Sequence, residues 1–341
     1  ATAVDVSNDR PILIDRFLEH AKELDVDCVA DATGAVVIGG IMEHIEEAGI
    51  HSGDSSCVVP PTGLSERHLT TLRDYTRRMA RALKVVGLMN VQFALKDDEI
   101  FVLEVNPRAS RTIPYLAKAT GVPLAQVAAR VMMGKTLVDL GLTADLVPAG
   151  VFVKSPVFPF IRFPGVDTIL GPEMKSTGEV MGGARDFGHA FIKAMLAAGE
   201  RLPEQGTVCL SVNNDDKAEV VPIAKALAEM GFAVTATRGT AVYLRAHGVE
   251  CGVVYKVNEG RPNLSDEIVN RSIHLVVNTP LGLESFFDDK AVRRAAMMTG
   301  TPCITTMTGA AAAVDAIRAL KGRELDVCSL QEYYETAKSS R

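Results

Sequence analysis

The sequence has no apolar run long enough to cross a bilayer, and its first residues lack the form of a signal peptide. Within the given residues neither a membrane-spanning helix nor a signal peptide is expected. No C-x-x-C pair occurs among the six cysteines, Cys28, Cys57, Cys209, Cys251, Cys303 and Cys328. Most lie in apolar stretches, as Cys209 does between Val208 and Leu210, so buried reduced thiols explain them better than a metal centre or disulfides. No block of Lys or Arg stands out. With 36 basic and 42 acidic residues the net charge is −6, which argues against nucleic acid or an anionic membrane as the main partner. Low-complexity tracts are absent too, and no Met opens the chain. The stretch Ala1 to Ser7 reads as the interior of something longer. What remains is a 341-residue chain, 47% hydrophobic, enough for about two domains with proper cores.

One stretch organises the first half. Ile100 to Leu103 is an apolar run that reads as a strand, followed by Glu104, Asn106, Pro107, Arg108 and Arg111. Side chains alternate across a strand, so Glu104 and Asn106 share a face. Pro107 cannot donate to a ladder and should end the strand. Two neighbouring side-chain oxygens suit a hard cation, and paired guanidiniums suit phosphate or carboxylate. A plain strand edge with surface charges fits the same local pattern, and the stretch alone leaves both readings open.

The surroundings narrow the choice. Val91 to Leu95 and Glu99 to Leu103 flank Lys96 to Asp98 as a hairpin. With the turn centred near Asp98, Gln92 falls opposite Glu104, and a third oxygen donor joins the pair. A one-residue slip would turn Gln92 to the other face. Upstream, Asp25 to Ala30 and Ala35 to Ile38 read as strands joined by a turn over Asp31 to Gly34. Ile12 to Ile14 reads as another strand. Ile41, Ile45 and Ala48 stand at helical spacing and predict a helix over 41–51. A clearer helix runs over 65–86, with Ser65 as its cap, Leu72, Met79, Leu83 and Val86 as its apolar face, and Gly87 as its C′ residue. Pro123 opens a helix ending at Gly134. Residues 150–185 read as irregular strand and turn, and a helix follows over 186–198.

After residue 206 five short β-rich runs alternate with helices: 208–212, 232–235, 251–255, 274–277 and 303–305. That alternation predicts a parallel, doubly wound sheet, so the whole chain is α/β. Ligands of such sheets bind at the carboxyl ends of the strands. Those ends carry Thr237 to Thr240, Lys256, Asn278, Thr279, Thr305 and Thr306; together they suit a phosphate cradle, while singly threonines are common at strand ends and caps.

Five stretches, Gly39–Ser55, Gly87–Ala94, Glu104–Arg111, Lys118–Pro123 and Leu170–Met181, resemble the large subunits of carbamoyl phosphate synthetases, and the likeness covers essentially the whole chain. It corresponds to their C-terminal portion. The resemblance implies an α+β ATP-grasp portion over 1–198, from the second synthetase unit, and a methylglyoxal-synthase-like allosteric domain over 199–341. It implies ATP-dependent phosphorylation of carbamate to carbamoyl phosphate, for pyrimidine and arginine biosynthesis, with ammonia from a glutaminase small subunit in a hetero-oligomer. Gln92, Glu104 and Asn106 match its ligands for Mg²⁺ or Mn²⁺, with K⁺ as a further cation. Arg108 and Arg111 match arginines that hold the carbamate or the transferred phosphoryl group. Arg16, Leu18, Glu23, Gly49, Ile50, His51 and Ser52 match nucleotide contacts, as do Gln92 and Glu104. Lys217, Thr237, Thr240, Lys256 and Asn278 match an effector site for UMP or IMP. Pro280 stands where a hydroxyl residue is expected there. Glu46 and Asp54 match acids of an ornithine site, where Ser155 replaces a third. His44 reads as a helix-surface or core histidine without a catalytic role.

Three rival readings follow. Another ATP-grasp ligase would share the metal triad, but the appended domain and the motif over 39–55 tell against it. A catalytic methylglyoxal synthase or IMP cyclohydrolase relative is the second, but no convincing catalytic Asp set for methylglyoxal synthase is found, which favours a binding module. A non-catalytic regulatory fragment is the third, because the phosphate-covering part of an ATP-grasp unit is expected upstream of residue 1.

Overall fold

The computed structural model describes residues 17–162, 168–279, 283–322 and 325–339. The expected strand at Ile12 to Ile14, and the site residues Arg16 and Pro280, lie outside them.

The first half is built on an antiparallel sheet. Its strands are β1 (Lys22–Ala30), β2 (Val36–Glu47), β3 (Cys57–Val59), β4 (Gly87–Lys96), β5 (Glu99–Asn106), β6 (Val151–Val157) and β7 (Gly178–Ala184), in the order β5-β4-β1-β2-β3-β6-β7. The expected helix over 41–51 is instead the second half of β2. Both faces of β2 are covered, so Ile41, Met42, His44 and Ile45 are all buried. Without a solvent face the apolar positions stop alternating, and their spacing imitates a helix.

Helix α1 (Glu66–Ala82) is capped by Ser65 as expected, whose hydroxyl accepts from His68 N at 3.3 Å. It stops earlier than its periodicity suggests. Lys84 takes the left-handed position (φ 51°), and Gly87 already belongs to β4. Leu83 and Val86 are therefore exposed, and Leu72, Thr76 and Ala80 form the buried face. Two further helices, α2 (Ile113–Thr120) and α3 (Leu124–Met132), cover the other face of the sheet through Leu116, Leu124, Val127 and Val131. Gly40 allows the contact, since a Cβ there would stand 2.5 Å from Leu116 Cδ2. Residues expected to be irregular form β6 and β7, which pair in register from Val151–Ala184 to Val157–Gly178. Helix α4 (Phe187–Ala197) then packs on β7.

The second half contains β8 (Thr207–Val212), β9 (Ala233–Thr237), β10 (Gly252–Val254), β11 (Leu275–Thr279) and β12 (Cys303–Ile304). All pairs are parallel, in the order β10-β9-β8-β11-β12, as the alternation predicts. Helices α5 (Lys217–Glu229), α6 (Arg238–Ala246), α7 (Leu264–Val269), α8 (Leu283–Thr299) and α9 (Met307–Gly322) supply the layers. The core does not stop at the change of sheet. Ala190, Phe191 and Ala194 of α4 join Ala310, Ala313, Val314 and Ile317 of α9 in one apolar cluster, with Ile45 and Val153 on one side and Val208 and Leu275 on the other. A last helix, α10 (Leu330–Ser339), returns to the first sheet. There Tyr333 meets Phe152 edge to face, with ring centroids 5.1 Å apart.

Candidate active site

The site grows from one face of β1. Glu23, Asp25 and Asp27 alternate with Leu24, Val26 and Cys28, so the three acids project together. Pairing with β4 sets Asp25 opposite Gln92 and Asp27 opposite Asn90. Pairing of β4 with β5 sets Gln92 opposite Glu104 and Asn90 opposite Asn106. Two rungs of polar side chains result, Asp25–Gln92–Glu104 and Asp27–Asn90–Asn106.

The hairpin reaches this register by a different route from the expected one. Its turn holds two residues, Asp97 and Asp98, both with positive φ. Continued regularly, that turn would set Gln92 against Leu103. A bulge between Gln92 and Phe93 of the ladder absorbs one residue of β5, and Glu104 regains its place opposite Gln92. The displaced Leu103 is 48% exposed.

A cavity of about 430 Å³ opens on this face. Among the predicted residues, Glu23, Gly49, Ile50, His51, Ser52, Gln92, Glu104, Asn106, Arg108 and Arg111 line it. Leu18 does not; its carbonyl accepts from Ala21 N. Asn106 Nδ2 donates to Glu104 Oε1 at 2.7 Å, and Arg108 donates to Asn106 Oδ1 at 3.2 Å. Gln92 Nε2 donates to Ser52 Oγ at 3.3 Å, which ties the rung to the loop over 49–52. That loop turns at Gly49 (φ 107°) and is held by His51 N donating to Gly171 O at 2.8 Å. Arg111 crosses to Met174.

Sequence reasoning passed over several residues here. Lys154, from β6, is 2% exposed; its ammonium donates to Ser52 O at 3.0 Å and stands 3.6 Å from Glu179. The available signal was a lysine inside the apolar run Val151 to Val157. His44 takes the core reading of the two expected for it, and its Nε2 lies 2.9 Å from Asp25 Oδ2, a partner the sequence did not indicate. Asn90 Nδ2 donates to Asp25 Oδ1 at 3.1 Å. Burial alone would raise the Asp25 carboxyl, but the hydrogen bond and charge of His44 outweigh it and hold Asp25 below its usual value. Burial opposes the imidazolium too, yet Asp25 holds His44 above its usual value. Glu23 is raised, chiefly by burial. Burial pushes Asp27 up to about 7, against the hydrogen bonds of Thr112 and Ser110.

Among the described residues no group of three His, Cys, Asp or Glu is arranged to hold a metal. Gln92, Glu104 and Asn106 are a different kind of set: one carboxylate with two amide oxygens on adjacent strands. All-oxygen donors of this type fit a hard divalent cation.

At the second predicted site, Lys217, Thr237, Thr240 and Asn278 gather around the carboxyl end of β8. Thr237 Oγ1 stands 3.4 Å from Ser211 Oγ, and Asn278 Nδ2 donates to Ser211 O at 3.4 Å. Lys217 Nζ lies beside Gly239, 3.7 Å from where a Cβ would sit. Asn278 is 1% exposed, and its Oδ1 has no partner among the described residues. Lys256 follows β10, at the edge of the sheet beyond β9, and is exposed. The residues matched to an ornithine site bond within the chain. Glu46 accepts from Ser55 Oγ (2.7 Å) and Ser56 N (2.6 Å), and Asp54 accepts from Lys175 N and Ser176 N. Ser155 Oγ faces Ser56 Oγ at 3.4 Å. No helix among the described residues is long and apolar enough to cross a membrane.

Comparison with known proteins agrees with the likeness read from the motifs. Residues 1–140 match the family model "Carbamoyl-phosphate synthase L chain, ATP binding domain", and residues 219–305 match "MGS-like domain". The chain is 55% identical to the carbamoyl phosphate synthase large chain of a Synechocystis strain, over 97% of this chain and 31% of that protein. It is 55% identical to that of Acidobacterium capsulatum, over 96% and 31%, and 54% identical to that of Archaeoglobus fulgidus, over 98% and 31%. The chain thus spans about a third of the length of the curated relatives it matches.

Proposed function

We propose that this chain, which belongs to the carbamoyl phosphate synthase large-chain family, supplies one wall of a site that phosphorylates carbamate with ATP. The observation that carries the reading is the rung Asp25–Gln92–Glu104 beside Asn106, Arg108 and Arg111 on one cavity. Gln92, Glu104 and Asn106 would hold Mg²⁺ or Mn²⁺. Such an ion, when bound, offsets charge on the phosphates during transfer. The loop over Gly49 to Ser52, with Glu23, lies along the nucleotide. Arg108 and Arg111 hold the carbamate or the phosphoryl group as it moves, by charge-assisted hydrogen bonds. Lys154 fixes Ser52 through its carbonyl and keeps the loop against the rung.

On this reading residues 1–198 belong to the ATP-grasp unit and 199–341 form a nucleotide-binding regulatory domain. Lys217, Thr237, Thr240 and Asn278 receive the phosphate and sugar of UMP or IMP, with Lys256 at the rim. The whole enzyme is cytoplasmic, takes ammonia from a glutaminase partner, uses K⁺ beside the divalent ion, and feeds pyrimidine and arginine synthesis. The test is ATP formation from ADP and carbamoyl phosphate by the full-length protein. Glu104→Gln is expected to abolish it; normal turnover in that variant would overturn the assignment.

A further inference from the structure

We propose that Asp27 is the positioning residue of the arginine segment: its buried carboxylate ties down both hydroxyls that flank Arg111 and so fixes where the two guanidiniums stand. The inference rests on the phosphoryl-transfer reading for its kinetic consequence, and on geometry alone for its structural one.

The segment after Asn106 needs an anchor. It leaves an edge strand, because β5 is the outermost of its sheet. Pro107 ends the ladder, and the next backbone bond is local, Arg108 N to Asn106 O at 2.8 Å. From there to α2 the chain carries Arg108, Ser110, Arg111 and Thr112 into the cavity wall. Ser110 Oγ donates to Asp27 Oδ1 at 2.7 Å, and Thr112 Oγ1 donates to Asp27 Oδ2. The two hydroxyls are themselves 2.7 Å apart. One carboxylate thus clamps positions 110 and 112, and Arg111 projects from between them.

Two observations separate this clamp from ordinary satisfaction of a polar group. Thr112 is the N-cap of α2, yet its side chain makes no capping bond. A threonine there would normally cap its helix; this one is turned to Asp27 instead. Asp27 also sits in a central strand at 1% exposure, flanked by β2 and β4. Holding a carboxylate in that position is costly: burial lifts it to about 7. A serine or asparagine would fill the space with less penalty, but only a carboxyl offers two equivalent oxygens to two donors. A rigid strand is also a better platform than a loop for placing charged groups.

The experiment uses the full-length enzyme and the ADP-plus-carbamoyl-phosphate reaction. Asp27→Ala is expected to raise KM for carbamoyl phosphate at least about tenfold while KM for ADP stays within about twofold, because only the arginine side is displaced. Asp27→Asn, which keeps the shape but only one of the two accepting oxygens, is expected to recover part of the loss. Hydrogen exchange gives a readout independent of activity: amides of 108–113 should exchange about tenfold faster in Asp27→Ala, with β4 unchanged. Should Asp27→Ala fail to fold, the double variant Ser110→Ala/Thr112→Val removes the same bonds from the other side and is expected to reproduce both effects. Equal changes in both KM values, unaltered exchange at 108–113, or an Asn variant as impaired as Ala would each overturn the proposal. If the unmodified enzyme forms no ATP, the phosphoryl-transfer reading falls, and the exchange measurement still decides the role of Asp27.

Discussion

Asp27→Asn should make the fold more stable, by a margin that grows with pH up to about 7 and then stays constant. The Asp27 carboxyl is enclosed, and burial raises it from an ordinary 3.8 to about 7. In the unfolded chain it ionises near 3.8. Between these values the native state keeps a proton that the unfolded state has lost, so native stability from this group falls as pH rises. The loss ends near pH 7, where the native carboxyl ionises too. A span of about three pH units at 1.36 kcal/mol each amounts to about 4 kcal/mol in all. Asparagine does not titrate, so the variant escapes the penalty. Denaturant unfolding at pH 5, 6, 7 and 8 should show the advantage of the variant growing by roughly 1 kcal/mol per unit up to pH 7, and then levelling. An advantage independent of pH would refute the reasoning, since it would mean that Asp27 is equally ionised in both states.

His44→Ala removes the only cation bonded to the buried Asp25 carboxylate among the described residues and is expected to cost roughly 3–5 kcal/mol in thermal or denaturant unfolding; unchanged stability would contradict the ion pair. Gly182→Ala sets a Cβ 2.1 Å from Ala190 O and 2.5 Å from Ala194 N, both backbone atoms of α4. The helix must lift from β7, and a loss of about 1–3 kcal/mol or more should appear, against no change for the open position Gly171→Ala.

The legible parts of the sequence were those where one local rule acts alone. The parallel sheet announced itself because each strand and helix carries its own pattern. Ser65 was readable because capping is a matter of three adjacent residues. The tail of β2 was not, because covering both faces erased the alternation that marks a strand. The two errors in the hairpin compensated: a two-residue turn and a bulge together restore the pairing that a wider turn would have given. For the cavity, motif residues on β4 and β5 and the loop over 49–52 were found. Asp25, Asp27, His44 and Lys154 were not, since each depends on which strand lies next to which. The alternation of Glu23, Asp25 and Asp27 was nevertheless visible, and three acids on one strand face in an apolar run are a signal worth following.

The return of α10 to the first sheet has a consequence for synthesis. Tyr333 closes on Phe152, a partner made about 180 residues earlier. Tyr334 covers Gly121, where a Cβ would stand 3.1 Å from the tyrosine ring. During translation that apolar surface must wait, uncovered, while the whole parallel sheet is produced. A chain interrupted within the second half would therefore have all seven antiparallel strands made but Phe152 and Gly121 without their aromatic cover.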